Sequence, residues 1–385
     1  MSRPGPWLRL CAVGACAVGA LVIASGELGI AHRALALVAA PLLIALVLAA
    51  WIAHRRLLVP TSAALALFLG AMATWWSRPL HVALAAAALA VTLVATALLF
   101  RGEPAPRGSW RDYLALTKPR IMSLLLLTGF CGMAAGGLPS AGVAASAMLG
   151  LALACGGASA LNHYMDRDID RLMGKRTRSR PVASGRVAPP RALEFGLALS
   201  ALSFVLLAST VNVFTALLAL VGNLFYVLVY TGWLKRSTPQ NIVIGGAAGA
   251  VPPLVGWAAA TGSLAWPAAL LFLIVFLWTP PHFWALALLI KRDYEAASVP
   301  MLPVVRGERE TTRQILLYSV VLVAFTVVAG FAFGPIAVAA AALLGGAFLW
   351  LAWQLRRDTT PRRAAVLFHF SLAYLALLFV AVALA

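Results

Sequence analysis

Apolar runs of close to 20 residues recur along the whole chain, separated by short polar connections. A hydrocarbon core of about 30 Å needs roughly 20 residues of α-helix to cross it. Runs of that length predict spans at 7–26, 33–53, 60–77, 80–100, 119–137, 140–161, 192–209, 211–230, 240–260, 265–283, 314–333, 335–354 and 366–385, thirteen in all. The strict apolar–polar alternation of a membrane β-barrel is absent. The expected fold class is therefore all-α, a polytopic membrane protein. The first four spans, residues 1–100, are rich in Ala, Leu and Val and poor in polar groups, and read as a four-helix extension. Residues 101–112 are polar and rich in Pro and Gly, and read as a linker. Residues 113–385 hold the other nine spans and every chemically pointed motif.

Two features inside the spans predict departures from regular packing. Pro252-Pro253 and Pro280-Pro281 should bend or break their helices, because each proline removes a backbone donor. In a membrane, broken backbone is tolerated only in protein or along a cavity, so both pairs point to an internal pocket. Gly245 and Gly249, flanked by Gly246 and Ala248, form a small-residue stripe that predicts close helix contact.

Composition agrees with the membrane reading: 62% of residues are hydrophobic and only 11% charged. The net charge of +18 suggests nucleic acid until its distribution is followed. With the N-terminus in the cytoplasm, every Lys and Arg except Arg33 and Arg78 falls on that side. This is the positive-inside pattern, so most of the basicity sets orientation and no nucleic-acid partner is expected. The long connections 163–191 and 284–313 also lie on that side. The expected location is the cytoplasmic (inner) membrane of the cell, multi-pass, with the chemistry facing the cytoplasm. Cys11, Cys16, Cys131 and Cys155 lie in apolar spans without a CxxC pair, so no disulfide framework or zinc site is indicated. The polar start is too short for a transit peptide, and the first apolar run is expected to be retained. His32, His54 and His81 sit near span ends and read as interfacial.

Candidate chemistry concentrates at 162–170. Asn162, Asp166 and Asp170 lie four apart, so on a helix they share one face at about 6 Å per step, with Asp168 on the other side. Ionisable groups at a membrane boundary cost free energy and mark function. Two carboxylates and an amide oxygen suit Mg²⁺, which takes one or two carboxylates plus substrate phosphates. Arg171, Lys175, Arg176, Arg178, Arg180 and Arg186 follow at once, and guanidinium groups bind phosphate oxygens bidentately. Acid and base this close suggest a metal–diphosphate site. A solvated loop with surface ion pairs is the bland alternative. A second cluster, Trp278-Thr279-Pro280-Pro281-His282-Phe283-Trp284, precedes Lys291-Arg292-Asp293-Tyr294. Its bland reading is an interfacial aromatic belt. Lys118-Pro119-Arg120 and the segment Tyr230–Asn241, with Lys235 and Arg236, place further basic groups at the same interface.

Asn162, Asp166 and Asp170, followed by Met173, Arg176-Thr177 and Arg180-Pro181, resemble the first aspartate motif of the UbiA-type intramembrane prenyltransferases. Leu116–Arg120, Tyr230–Asn241, Thr279–Trp284, and Asp293-Tyr294 with Pro300 and Leu302–Val305 are similar to the haem O synthase (protohaem IX farnesyltransferase) branch of that family. The likeness covers about 110–385. Two departures stand out. Met173 to Arg176-Thr177 is one residue longer than the usual pattern, which leaves Lys175 and Arg176 as alternatives for one phosphate contact. Ala297 stands four residues after Asp293, where many relatives carry a second aspartate.

The resemblance implies a nine-helix bundle around a cavity open to the cytoplasmic side. It implies a prenyltransferase that moves a farnesyl group from farnesyl diphosphate to a vinyl group of haem B. In that reading Mg²⁺ rests on Asn162, Asp166, Asp170 and Asp293. Lys118, Arg120, Arg176, Arg180 and Lys235 bind the diphosphate. Phe225, Tyr226, Tyr230, Trp278, Phe283 and Trp284 line a dry pocket for the allylic cation. His282 orients the porphyrin or moves a proton. Expected partners are farnesyl diphosphate, haem B, the lipid bilayer and haem A synthase. The rivals are a sister enzyme acting on a quinone precursor, which would lack the Thr279–Trp284 set, and a transporter or structural subunit, which would tolerate alanine in 162–170.

Overall fold

The computed structural model describes residues 108–385 (a few side chains, that of Arg176 among them, excepted) and, before them, 15–17, 39, 43, 58–73 and 85–94. The chain divides into two compact units: residues 1–105 with 204–209, and residues 106–203 with 210–385. In the first unit, helix α1 (Leu58–Ala73) overlaps the third predicted span and α2 (Ala85–Val94) falls within the fourth. The first two predicted spans lie almost wholly outside the described residues.

The second unit is built from helices: α3 (Trp110–Leu116), α4 (Pro119–Ala135), α5 (Ala141–Met165), α6 (Arg167–Leu172), α7 (Lys175–Arg178), α8 (Pro189–Thr210), α9 (Val213–Leu224), α10 (Asn241–Thr261), α11 (Trp266–Leu289), α12 (Lys291–Ala296), α13 (Gly307–Gly330), α14 (Pro335–Arg357) and α15 (Pro361–Leu384). No strand occurs among the described residues. Among the described residues eight helices are long and apolar enough to cross a membrane, the one after α8 running Val213–Ser237, or nine if α3 and α4, bent by 49° at their junction, form one broken span. Alternating hairpins set the order. α10 packs on α4, α9 and α11, α11 on α13 and α15, and α15 returns to α4, so the last helix closes on the first.

Local chemistry explains where these helices start and stop. Ser109 and Asp112 form a reciprocal capping box at the head of α3. Asn212 caps α9 by accepting from the Thr215 amide, and Thr360 caps α15 by accepting from Arg363. Proline occupies the first turn of α4, α11, α14 and α15, where no intrahelical donor is needed. The α3–α4 break falls at Lys118, whose φ of 50° is left-handed. The following Pro119 disfavours a right-handed helical conformation there, and a non-glycine residue in this region costs about 1–2 kcal/mol.

Two expectations about helix geometry change. Pro252-Pro253 and Pro280-Pro281 lie inside unbroken helices, α10 and α11. Neither pair interrupts its span, because packing holds the backbone in register on both sides. The Gly245/Gly249 stripe does not join two helix backbones. A β-carbon on Gly245 would strike the ring of Tyr230, and one on Gly249 would meet nothing within 4 Å. The tight backbone contact lies further along α10, against α4. There a β-carbon on Gly132 would collide with the Pro253 carbonyl, and one on Gly256 with that of Gly129. Lipid tails are as apolar as leucine, so close van der Waals contact of this kind holds membrane helices together.

Candidate active site

The helix carrying Asn162 does not run through the acidic segment. α5 ends at Met165, Asp166 stands at the junction, and α6 carries Asp168 and Asp170. The four-residue register survives the break. The Asp166 amide donates to the Asn162 carbonyl, and the Asp170 amide to that of Asp166, at 2.8 and 2.7 Å. Asp166 and Asp170 are therefore carried on one side and sealed from solvent, at 0% and 1% exposure.

Cations from three other segments close on them. Lys118, thrown inward by the left-handed break, donates to Asn162 Oδ1 at 2.7 Å. Asn162 Nδ2 donates to Asp166 Oδ2 at 2.7 Å and to Thr231 Oγ1 at 3.1 Å. Lys235 Nζ makes a very short bond to the same Asp166 oxygen. Arg180 donates to Asp170 Oδ1 at 2.7 Å. Burial pushes the Asp170 carboxyl above the usual carboxylate range, and Arg180 opposes that shift. Each carboxylate keeps one oxygen without a hydrogen bond, Asp166 Oδ1, which has Arg236 at 3.9 Å, and Asp170 Oδ2. Buried unpartnered acceptors beside three cations are built to meet something from outside the chain.

Lys235 reaches this point because its span does not follow α-helical register. Phe225–Leu234 forms a π-helix, which is rare and recurs at functional sites. It stacks Tyr226 on Tyr230, centroids 5.5 Å apart, and buries Thr231 against Asn162.

A further acidic residue, Asp293, comes from the first turn of α12. A β-carbon on Gly174 would lie 2.5 and 2.6 Å from the carboxylate oxygens of Asp293. The glycine thus lets Asp293 sit against the α6–α7 turn. The next residue, Tyr294, is buried, which raises its hydroxyl to about 12 and keeps it protonated.

Asp168 serves a different end. Its carboxylate accepts a fork from Arg236 at 2.7 and 2.8 Å, while Arg236 also donates to the Met165 carbonyl. Arg236 therefore pins α6 to the end of the α9 span. The guanidinium holds the Asp168 carboxyl well below the usual carboxylate range.

The remaining expected residues are dispersed. Arg120 and Lys175 are exposed, and the Arg176 side chain lies outside the described residues. Trp278 and His282 stack on each other in the core, and Trp284 packs edge-on against Tyr318. Sequence reasoning did not single out His163, buried with neither ring nitrogen partnered, nor Thr231, Gly174 or Ser371. His163 was legible only as the neighbour of Asn162. Ser371 meets His282 across 89 residues of sequence, and no local signal marks it.

The cluster fits a hard divalent cation in its donor set, all carboxylate and amide oxygen, and in its two free buried acceptors. Among the described residues no three His, Cys, Asp or Glu side chains converge on one point. A cation here would complete its shell with substrate oxygens and water.

Comparison with known proteins gives the same direction. The chain is 50% identical over 293 residues to a protohaem IX farnesyltransferase of Azotobacter vinelandii, covering 75% of this chain and 96% of that one. It is 52% identical over 277 residues to the protein of that name from Brucella anthropi, covering 70% and 88%. A Symbiobacterium thermophilum protein of the same name is 66% identical over 215 residues, covering 55% and 72%. Among solved structures, a digeranylgeranylglyceryl phosphate synthase superposes with a TM-score of 0.59 at 19% identity, covering 71% of this chain and 97% of its own. An Archaeoglobus fulgidus UbiA homologue bound to DMAPP and Mg²⁺ superposes at 0.53 with 18% identity, covering 71% and 100%. At such identities the structures speak for the fold. A family model for UbiA prenyltransferases matches residues 123–379, from α4 to α15 and across the acid–base cluster apart from Lys118, and the chain belongs to the UbiA prenyltransferase family.

Proposed function

We propose that this enzyme transfers a farnesyl group from farnesyl diphosphate to a vinyl group of haem B, forming haem O. The observation that carries the reading is the sealed pair Asp166 and Asp170, each with a free oxygen, facing Lys118, Lys235 and Arg180. The acceptor follows from relatives of that name at about half identity over most of the chain.

Three basic side chains beside the sealed carboxylates suit a polyanionic leaving group. Asn162, Asp166 and Asp170, with Asp293 brought in on substrate binding, would hold Mg²⁺, which when bound would supply Lewis-acid neutralisation of the departing diphosphate. Lys118, Lys235 and Arg180 bind and orient the phosphoryl oxygens, with Arg176 or Lys175 as a further contact. Arg120, exposed two residues after Lys118, is a further candidate contact. The allylic C1–O bond breaks as the vinyl π pair forms the new C–C bond. The charge left on the next carbon is conjugated with the macrocycle and is discharged by water. The stacked Tyr226–Tyr230 pair offers ring faces to the allylic cation. The inward side of the π-helix, with Val227, Thr231 and Leu234 buried, keeps water from C1 until the bond has formed.

In this reading residues 113–385 are the catalytic domain, 101–112 a linker and 1–100 an accessory membrane extension. The site faces the cytoplasm, and haem A synthase would receive the product. Membranes containing the protein, given haem B and farnesyl diphosphate, should yield a heavier, farnesylated haem by mass spectrometry. Prenylation of an aromatic acid with haem untouched would overturn the choice of acceptor.

A further inference from the structure

α10 carries Gly245, Gly246, Gly249 and Gly256, and three of these glycines are met by a neighbour. A β-carbon on Gly245 would strike the Tyr230 ring, one on Gly246 would lie 3.0 Å from Thr279, and one on Gly256 would collide with the Gly129 carbonyl. Gly249 faces open space instead, and its surface is partly accessible. That space lies on the inner side of the helix. At roughly 100° per residue, Gly249 points within about 40° of Gly245 and about 20° of Gly256, both of which meet protein. Ile244, at 44% exposure, marks the outer side, and it points about 140° away from Gly249.

The space has a head and a floor. At its head stands Tyr230, next to Thr231, whose hydroxyl accepts from Asn162 of the acid–base cluster. Its floor is the crossing of α4 and α10, where Gly132 meets the Pro253 carbonyl and Gly129 meets Gly256. From Gly245 to Pro253 the helix rises about 12 Å, with Gly249 halfway. That is close to the reach of three isoprene units. The groups around it are apolar or already satisfied: glycine, proline, the Tyr230 ring, and Thr279, whose hydroxyl donates to the Val275 carbonyl at 2.8 Å. Glycine is a poor residue for a helix interior, and alanine is better. Close packing offsets that cost at Gly245, Gly246 and Gly256. At Gly249 no part of the chain does, so the missing side chain leaves room for something from outside it. The two buried carboxylate oxygens without hydrogen bonds, beyond the head of the space, mark where the charged end of such a ligand binds.

We infer that Gly249 is the residue that sets which prenyl chain length the enzyme accepts. This rests on the reading above, in which the diphosphate is held by the acid–base cluster, and adds to it how the donor is selected. Gly249 makes no bond in the reaction and acts by leaving space. A side chain there narrows the slot halfway down, beyond the first isoprene unit. The last unit of a farnesyl chain then loses its place before shorter chains lose theirs, and the α4–α10 floor stops chains longer than farnesyl.

The test sets geranyl, farnesyl and geranylgeranyl diphosphates in competition for haem B on purified full-length protein, with the products weighed by mass spectrometry. Wild type should make mostly the farnesylated product. Gly249→Leu should shift the ratio of geranyl to farnesyl product at least tenfold toward geranyl, chiefly through KM for farnesyl diphosphate. Gly249→Ala should shift it several-fold in the same direction. Alanine adds one methyl group to open space on a regular helix, so this variant folds and reads the ratio even where leucine does not. A structural role alone would lower all donors together, and an unchanged ratio in Gly249→Ala and in folded Gly249→Leu overturns the inference. So does an unchanged ratio with weakened haem binding, which would give the space to the acceptor. The reading beneath fails differently: wild type would leave haem untouched with every donor and prenylate another acceptor, on which the same ratio still tests Gly249.

Discussion

Asp166, Asp168 and Asp170 differ by two positions each, and their surroundings assign them different work. Asp166 and Asp170 are sealed and half-satisfied, so Asp166→Asn and Asp170→Asn should each lower turnover at least 100-fold. Removing the Asp166 charge also leaves Lys235 buried without its counter-ion, which costs about 3–5 kcal/mol, so turnover must be referred to folded protein. Activity should vanish with a chelator and return with Mg²⁺. Full activity in excess chelator would falsify the metal reading. Asp168→Asn should cost only a few-fold, since its carboxylate holds Arg236 at a largely exposed position. That fork is a screened surface pair, worth about 1 kcal/mol or less. Because the folded-state value is depressed, the stabilisation is present above the free aspartate value of 3.8 and is lost as pH falls below it. The stability gap between wild type and Asp168→Asn, followed by thermal unfolding, should therefore close in acid. Gly174→Ala probes the other acid. Its methyl group would displace the Asp293 carboxylate, so turnover should fall about as far as in Asp293→Asn. A fully active Gly174→Ala protein would remove Asp293 from the site. The stripe Asn162, Asp166, Asp170 was readable because hydrogen bonding preserved a four-residue spacing across a broken helix. Gly174 was not, because its neighbour comes from 119 positions away.

At the scale of elements, the long apolar runs were legible because lipid enforces their length. Their internal geometry was not. The predicted span 211–230 continues to Ser237, since the π-helix carries the chain further around the site before it leaves the membrane. Nothing in Phe225–Leu234 announces that register, which is held by Tyr230 against Gly245 and Thr231 against Asn162. Gly245→Ala should thus displace Tyr230 and lower turnover with limited loss of stability. Gly256→Ala should do the reverse. It would drive α10 from the Gly129 carbonyl at a cost of about 1–3 kcal/mol, seen as a lower unfolding temperature. Equal melting of Gly256→Ala and wild type would show that the α4–α10 contact is not tight.

For the whole molecule, the ends of α5, α11 and the α9 span, with the start of α4, bring their polar residues to one end of the bundle. The distribution of Lys and Arg predicts that this end is cytoplasmic. Cysteines placed in 163–191 and 291–313 should react only with reagents that enter the cytoplasm. Labelling of both from outside contradicts the orientation. All motifs follow residue 112, and removal of four spans preserves the sidedness of the rest. A protein starting near Ser109 should insert and keep haem farnesylation per folded molecule. A well-folded truncation without turnover would make residues 1–100 part of the site.

Membrane class, span length, charge bias and the acid–base residues were present in the linear chain, because each depends on composition or on spacings of a helical turn. Lipid length, the positive-inside bias and the i, i+4 stripe are all local rules. Tertiary structure alone settled which cation meets which carboxylate, why the Pro-Pro helices stay whole, and where the helices touch most closely. It also brought His282 to a serine 89 residues later. A meeting of this kind follows from the packing of α11 on α15, and from none of the neighbours of either residue in sequence.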